Sequence, residues 1–173
     1  MVVLFKRIKP NRFKEEAVNR ALRNALRRVG AGMKKDFEAT VKTWEKPAVF
    51  RVATHLTAGI PSPSVEVWTD NALWKMLDEG TKPHDIWAGI YTGRSDKKAL
   101  AFPSVFAAKT KVGVLDSFAG SSGGEKIVRP YVQHPGTKAR KWSQALEKKW
   151  KKRFKEEMEK GLHEARRDSG HAA

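Results

Sequence analysis

The chain has 173 residues with 35 Lys and Arg against 19 Asp and Glu, a formal net charge of +16, and only 37 Leu, Ile, Val and Phe; this is one domain's length with a small core. No apolar run approaches the roughly 20 residues that cross a bilayer, and the apolar start Met1-Val2-Val3-Leu4-Phe5 meets Lys6 and Arg7 without a small-residue cleavage site, so neither a membrane span nor a secretory signal is expected. The absence of cysteine excludes a disulfide framework, a thiol nucleophile and a thiolate metal site.

The charge is uneven along the chain. Residues 1–46 carry 13 basic and 5 acidic groups and residues 138–173 carry 12 and 6, whereas residues 47–137 carry 10 and 8. The first end reads as a long helix over residues 10–46, with Pro10-Asn11 as a stop and N-cap, Glu15 and Glu16 at the positive end of the dipole and Pro47 closing it. Val18, Leu22, Leu26, Val29, Met33, Phe37, Val41 and Trp44 recur every three or four residues and fall on one face, while Arg20, Arg23, Arg27, Arg28, Lys34 and Lys35 fall mostly elsewhere. Gly30 and Gly32 predict a kink or a division into two helices.

The middle, residues 47–137, alternates apolar and polar residues. Residues 49–54 and 65–69 read as strands joined by a hairpin-like connection through Gly59-Ile60-Pro61-Ser62-Pro63. Residues 73–77 read as a short helix stopped by Gly80. Residues 99–106, 111–115 and 126–132 are further candidate strands, with residues 118–124 a flexible loop.

The last end predicts a helix from near Thr137 or Ala139, over residues 138–163, and then a flexible tail over 164–173. Its apolar residues Trp142, Leu146, Trp150, Phe154, Met158 and Leu162 are spaced by four. Four residues advance about 400°, so this stripe turns by roughly 40° per step and one flat sheet cannot cover all of it. Trp142 and Leu146 are expected in the chain's own core. Trp150, Phe154 and Met158 are candidates for a subunit interface, the alternative being that they lie on the chain's own N-terminal helix. The fold class is α+β in a single domain: a mostly antiparallel sheet flanked by the two terminal helices, with the short helix in the middle.

Chemistry-bearing patterns are sparse. His55, His84, His134, His163 and His171 include no HExxH spacing and no i, i+4 pair, and the acidic cluster Asp78, Glu79, His84 and Asp85 reads as ordinary surface chemistry around a helix end. Gly120-Ser121-Ser122-Gly123 is not a nucleophile elbow, and Glu125 before Lys126 breaks any phosphate-cradling pattern. No enzymatic activity, cofactor or metal is expected. Lys148, Lys149, Lys151, Lys152 and Arg153, interleaved with Trp150 and Phe154, are candidate DNA-phosphate contacts, although Glu147, Glu156, Glu157 and Glu159 on the same helix also describe a solvated face.

Two motifs carry a resemblance. Glu79-Gly80-Thr81 followed by Lys82-Pro83-His84, then the strand at Ala99-Leu100-Ala101-Phe102, then His134-Pro135-Gly136-Thr137 before the last helix, resemble in order and spacing a family of small neck or tail-completion proteins of long-tailed double-stranded DNA bacteriophages. The resemblance covers roughly residues 10 to 160; the family's last helix opens with a proline and an aromatic, and here Arg140-Lys141-Trp142 keeps only the aromatic. It implies a virion subunit at the head–tail junction, a neck protein or tail terminator present in the host cytoplasm during assembly. It further implies a six-fold or twelve-fold homo-oligomeric ring contacting connector or head-closure and tail-tube proteins, with non-specific DNA contact possible. The alternative is a basic nucleic-acid-binding protein without catalytic activity. Mechanically, Pro135 fixes φ, Gly136 allows positive φ and Thr137 can cap the following helix, a rigid strand-to-helix corner. Residues 120–124 and 85–98 are expected to order only on docking.

Overall fold

The apolar stripe of the N-terminal segment sets one long helix. In the computed structural model, which describes residues 14–56, 63–88 and 99–171, this helix is α1 (Glu15–Ala39), with Ala21, Ala25, Leu26, Val29 and Phe37 among its buried residues. Glu15 and Glu16 occupy its first turn, while the cap expected at Asn11 lies outside the described residues. The helix ends well before Pro47 because Thr40 turns the chain: its hydroxyl donates to the Phe37 carbonyl at 2.7 Å and accepts the Trp74 indole N–H at 3.0 Å. The helix runs through Gly30 and Gly32 without the division into two that these residues suggest. Both glycines are places of close approach instead, since a Cβ on Gly30 would press on Val52 and Val65 and one on Gly32 would strike the Trp150 ring.

The strands form three separate antiparallel ribbons rather than one sheet. β1 (Arg51–His55) pairs with β2 (Ser64–Trp68) in the expected hairpin, with Arg51 opposite Trp68 and His55 opposite Ser64, and this ribbon lies on α1 at Gly30. The short helix is α2 (Ala72–Glu79), capped by the Asn71 side chain, which accepts the Trp74 N–H at 2.8 Å. β3 (His84–Trp87), which alternation does not reveal, pairs with β6 (Tyr131–His134); β4 (Leu100–Ala107) pairs with β5 (Ser121–Arg129). The candidate strand over 126–132 is thus divided at Pro130, which lacks the N–H that a continuing ladder needs.

Two further expectations are corrected here. The segment at 121–124 is not a loop but the first half of β5, with a register shift opposite Pro103–Val105. Residues 111–115 are not a strand, because this stretch leads into a cap for α1. There the Ser117 hydroxyl donates to the Ala39 carbonyl at 3.2 Å and accepts the Thr43 N–H at 3.0 Å, and the Thr43 hydroxyl donates to the Phe118 carbonyl at 2.6 Å. Of the segment 85–98 expected to order on docking, residues 85–87 belong to β3 and residues 89–98 lie outside the described residues.

The last helix, α3 (Trp142–Asp168), starts later and ends later than its sequence pattern suggests, so residues 164–168 belong to the helix and not to a flexible tail. It lies antiparallel to α1. Arg20 meets Asp168 at 3.1 Å, Arg28 meets Glu157 at 3.0 Å and Glu164 at 3.3 Å, and Asp36 meets Lys149 at 2.7 Å, three cross-links in descending register. Between them Gly161 rests on Ala21 and Ala25, and the Trp150 ring covers Gly32. Beneath this seam a chain of rings, Phe37, Phe50, Trp74 and Trp142, runs at centroid separations of 5.3 to 5.7 Å. The three buried indole N–H groups are satisfied: Trp74 by Thr40, Trp142 by the Val114 carbonyl and Trp150 by Asp36.

Hydrogen bonds from Lys160 and Arg28 hold the Glu157 carboxyl below its ordinary range. A depressed folded value means that the ionised carboxylate favours the folded state, fully above the ordinary carboxylate range and progressively less as pH falls through the folded value. Glu157→Gln is therefore expected to lower the urea midpoint at neutral pH and to match the unsubstituted chain in acid below the carboxylate range; equal midpoints at neutral pH would show that the pair contributes nothing.

Candidate functional site: the clasp of two turns and its flanking clefts

The two turns singled out in the sequence, far apart along the chain, meet. α2 ends at Gly80, whose φ of +79° only glycine adopts readily, and the chain then lays Thr81 against Thr137 in an isolated antiparallel bridge. The Thr81 N–H donates to the Thr137 carbonyl at 2.9 Å, and the Thr137 N–H returns to the Thr81 carbonyl at 3.1 Å and its hydroxyl at 3.0 Å. Gly136 has φ of +85°, and any Cβ there would run into the Thr81 carbonyl oxygen, while one on Gly80 would meet the Thr137 carbonyl. The two glycines thus let two backbones touch where side chains have no room.

The clasp continues into the last helix. The Arg140 and Lys141 N–H groups donate to the Leu77 and Asp78 carbonyls at 2.9 and 3.0 Å, satisfying the open C-terminal end of α2. Lys141 is left-handed at φ of +56° and offers no side-chain cap. Asp78, buried at 7% exposure, supplies the cap from across the clasp: its Oδ1 accepts the Ser143 N–H at 3.1 Å and its Oδ2 the Ser143 hydroxyl at 2.5 Å. The cap expected from Thr137 is therefore made by Asp78, since the helix begins only at Trp142, five residues beyond Thr137. Beside the clasp His84 and His134 face each other across β3 and β6 at 5.1 Å. His84 Nδ1 donates to the Lys82 carbonyl at 2.8 Å, and His134 Nδ1 accepts the Gly136 N–H at 3.1 Å.

The remaining sequence candidates are placed as follows. Glu79 and Pro135 are exposed on the outer side of the turns. Asp78, Glu79, His84 and Asp85 do not converge, and among the described residues no three metal-ligating side chains gather. Trp150, proposed from its spacing as a subunit contact, is buried on α1 at 9% exposure with its N–H donated to Asp36 at 2.7 Å. Phe154 packs on the same core, Met158 is half-buried and Leu162, the last of the stripe, is 52% exposed. Of the candidate phosphate contacts, Lys149 is bound to Asp36, Arg153 stands 5.4 Å from the Trp150 ring centroid and Lys152 lies 3.9 Å from Glu156. Lys148 and Lys151 are exposed.

Two clefts open beside α2 and α3, and neither is apparent from the sequence because each collects residues from distant segments. The larger, about 720 Å³, has an apolar floor of Trp44, Leu73, Leu77 and Phe106. Its rim carries Lys46, Lys109, Lys138 and Arg140 against one carboxylate, Glu45. Arg140 is aimed by hydrogen bonds to the Thr110 hydroxyl and the Lys138 carbonyl, and no cation of this rim has a carboxylate partner among the described residues. The smaller cleft, about 410 Å³, is floored by Met33, Phe37, Val65, Val67 and Trp68 and edged by Glu66 and Glu147, with no Lys or Arg in its lining. Both clefts present apolar surface with charge of one dominant sign, and the smaller is also lined by Ser143, whose hydroxyl is donated to Asp78.

Among the described residues no helix is long and apolar enough to cross a membrane. Compared with family models, curated proteins and solved structures, the chain matches none.

Gly136→Val is expected to cost about 3 kcal/mol or more, from positive-φ strain together with overpacking against Thr81, and Asp78→Ala about 1–2 kcal/mol through the lost cap. Chemical denaturation followed by circular dichroism measures both; an unchanged midpoint in Gly136→Val would mean that the clasp is not required.

Proposed function

We propose that the chain is a structural protein of a tailed bacteriophage virion, a ring-forming neck or tail-completion subunit that helps join the tail to the capsid connector. The observation that carries this reading is the clasp: the Glu79-Gly80-Thr81 and His134-Pro135-Gly136-Thr137 turns, on which the resemblance rests, act as one mechanical unit that locks α2 to the start of α3. Two features support an assembly role over catalysis. Large hydrophobic side chains remain outside, with Val49 and Phe106 each 73% exposed, Val105 and Val128 59% and Leu73 55%. The β4–β5 ribbon is exposed along most of both strands, and a two-stranded ribbon is marginal in water until a further surface covers it. A ring subunit, whose contacts repeat around an axis, would bury such surface only on assembly.

The nucleic-acid reading keeps one specific observation. Arg20, Arg23 and Arg27 line a shallow groove on the outer side of α1, and Arg23 and Arg27 have no ion pair among the described residues. In a neck this face would suit the DNA that passes through the ring, without readout of sequence.

An amber codon at Trp74 in the gene's native phage is expected to leave filled heads and free tails, or tails of irregular length, unjoined in electron micrographs. Intact infectious particles from that mutant would overturn the proposal.

A further inference from the structure

The two clefts have opposite rims on one molecule. One has an apolar floor edged by Lys46, Lys109, Lys138 and Arg140; the other has an apolar floor edged by Glu66 and Glu147; they share no lining residue. In a chain of net charge +16 a concave surface lined by carboxylates without a Lys or Arg is unusual, and self-association of so basic a chain is opposed by its own field except where unlike patches meet. From this we infer that the occupant of the basic cleft is a second copy of this chain, presenting its acidic cleft edge, so that successive copies join head to tail.

A nucleic acid accounts for less. A polyanion suits Lys138 and Arg140 but leaves the aliphatic floor at Leu73 and Leu77 unused, and it gives the acidic cleft no part. A second copy uses both clefts at once, and it covers Phe106 and Leu73 at one end and Trp68, 41% exposed, at the other. Because the two patches are different, the contact is heterologous, and repetition of it closes a ring or extends a filament according to the rotation it imposes. The charged rims set orientation and suppress contact between like faces, while the apolar floors contribute the burial. This inference rests on the ring reading of the preceding section and adds which surfaces meet.

The test is a charge exchange read by sedimentation velocity. Lys138 and Glu147 are both exposed and neither side chain takes part in the clasp, so Lys138→Glu and Glu147→Lys are expected to fold, as circular dichroism checks. Each alone should weaken assembly about tenfold or more through like-charge contact. An equimolar mixture of the two single variants, in which every contact again pairs unlike charges, should recover the assembly of the unsubstituted chain, as should the double variant. If the unsubstituted chain assembles and the single variants assemble equally well, or the mixture fails to recover, the clefts are not the contact while the ring reading stands. If the unsubstituted chain is a monomer at every concentration, the ring reading falls and this inference with it. If Lys138→Glu lowers affinity for duplex DNA without altering particle mass, the basic cleft serves nucleic acid and the inference is overturned.

Discussion

The fold depends on how closely two highly charged helices can approach. α1 and α3 are each too polar to be held by a broad apolar face, and they meet along a narrow seam where small residues remove the obstacle: Ala21 and Ala25 against Gly161, and Gly32 under the Trp150 ring. Close approach brings Arg28 onto Glu157 and Glu164, and Asp36 onto both Lys149 and the Trp150 N–H. Exposed ion pairs of this kind contribute little singly; their part is to fix register, since a shift of either helix by one turn would part them together and drive Trp150 off its glycine. With few large aliphatic residues in the chain, the close-packed aromatic chain from Phe37 to Trp142 supplies the rest of the core.

The clasp does for the middle of the molecule what the seam does for its ends. It ties the end of α2 to the start of α3 with backbone bonds in both directions and uses one buried carboxylate, Asp78, to complete the helix that forms the seam. The helices, the β1–β2 ribbon and the clasp therefore make one framework. The β4–β5 ribbon and both clefts stand at its edge with apolar surface uncovered. A framework with unlike outward surfaces suits a part that repeats in an assembly.

Much of this was legible in the sequence, and the misses have physical causes. The apolar spacing in α1 and α3 identified both helices and the large members of their buried faces, Leu26, Val29, Phe37, Trp142, Leu146 and Trp150, but not the small ones, Ala17, Ala21, Ala25, Gly161 and Ala165, because small residues carry little of the hydrophobic pattern. The terminal stripe picked out Trp142, Leu146 and Trp150 as inward-facing but could not say on what, and it carried on to Leu162, which is exposed; Trp150 found its partner at Gly32, which read locally as a helix breaker. Alternation found β1, β2 and β4, whereas β3 was hidden by its polar start at His84 and Asp85, and Ser121–Gly124 joined a strand against its own propensity because β4 supplies the ladder. Residues 111–115 failed as a strand because the chain following them caps α1, a demand that only the folded helix creates. The turns at Glu79-Gly80-Thr81 and His134-Pro135-Gly136-Thr137 were legible as turns; that they touch, and that Asp78 rather than Thr137 caps α3, depends on a contact between distant segments. The opposed clefts were invisible for the same reason.

The central claim is that the α1–α3 seam belongs to the folded subunit and not to an interface between subunits. The most direct measurement is the unfolding free energy of Trp150→Ala across a range of protein concentrations. The account predicts a loss of about 3 kcal/mol, the usual cost of emptying a buried tryptophan site, and the same loss at every concentration. No loss, or a loss that grows with dilution as it would for an interface residue, would contradict it.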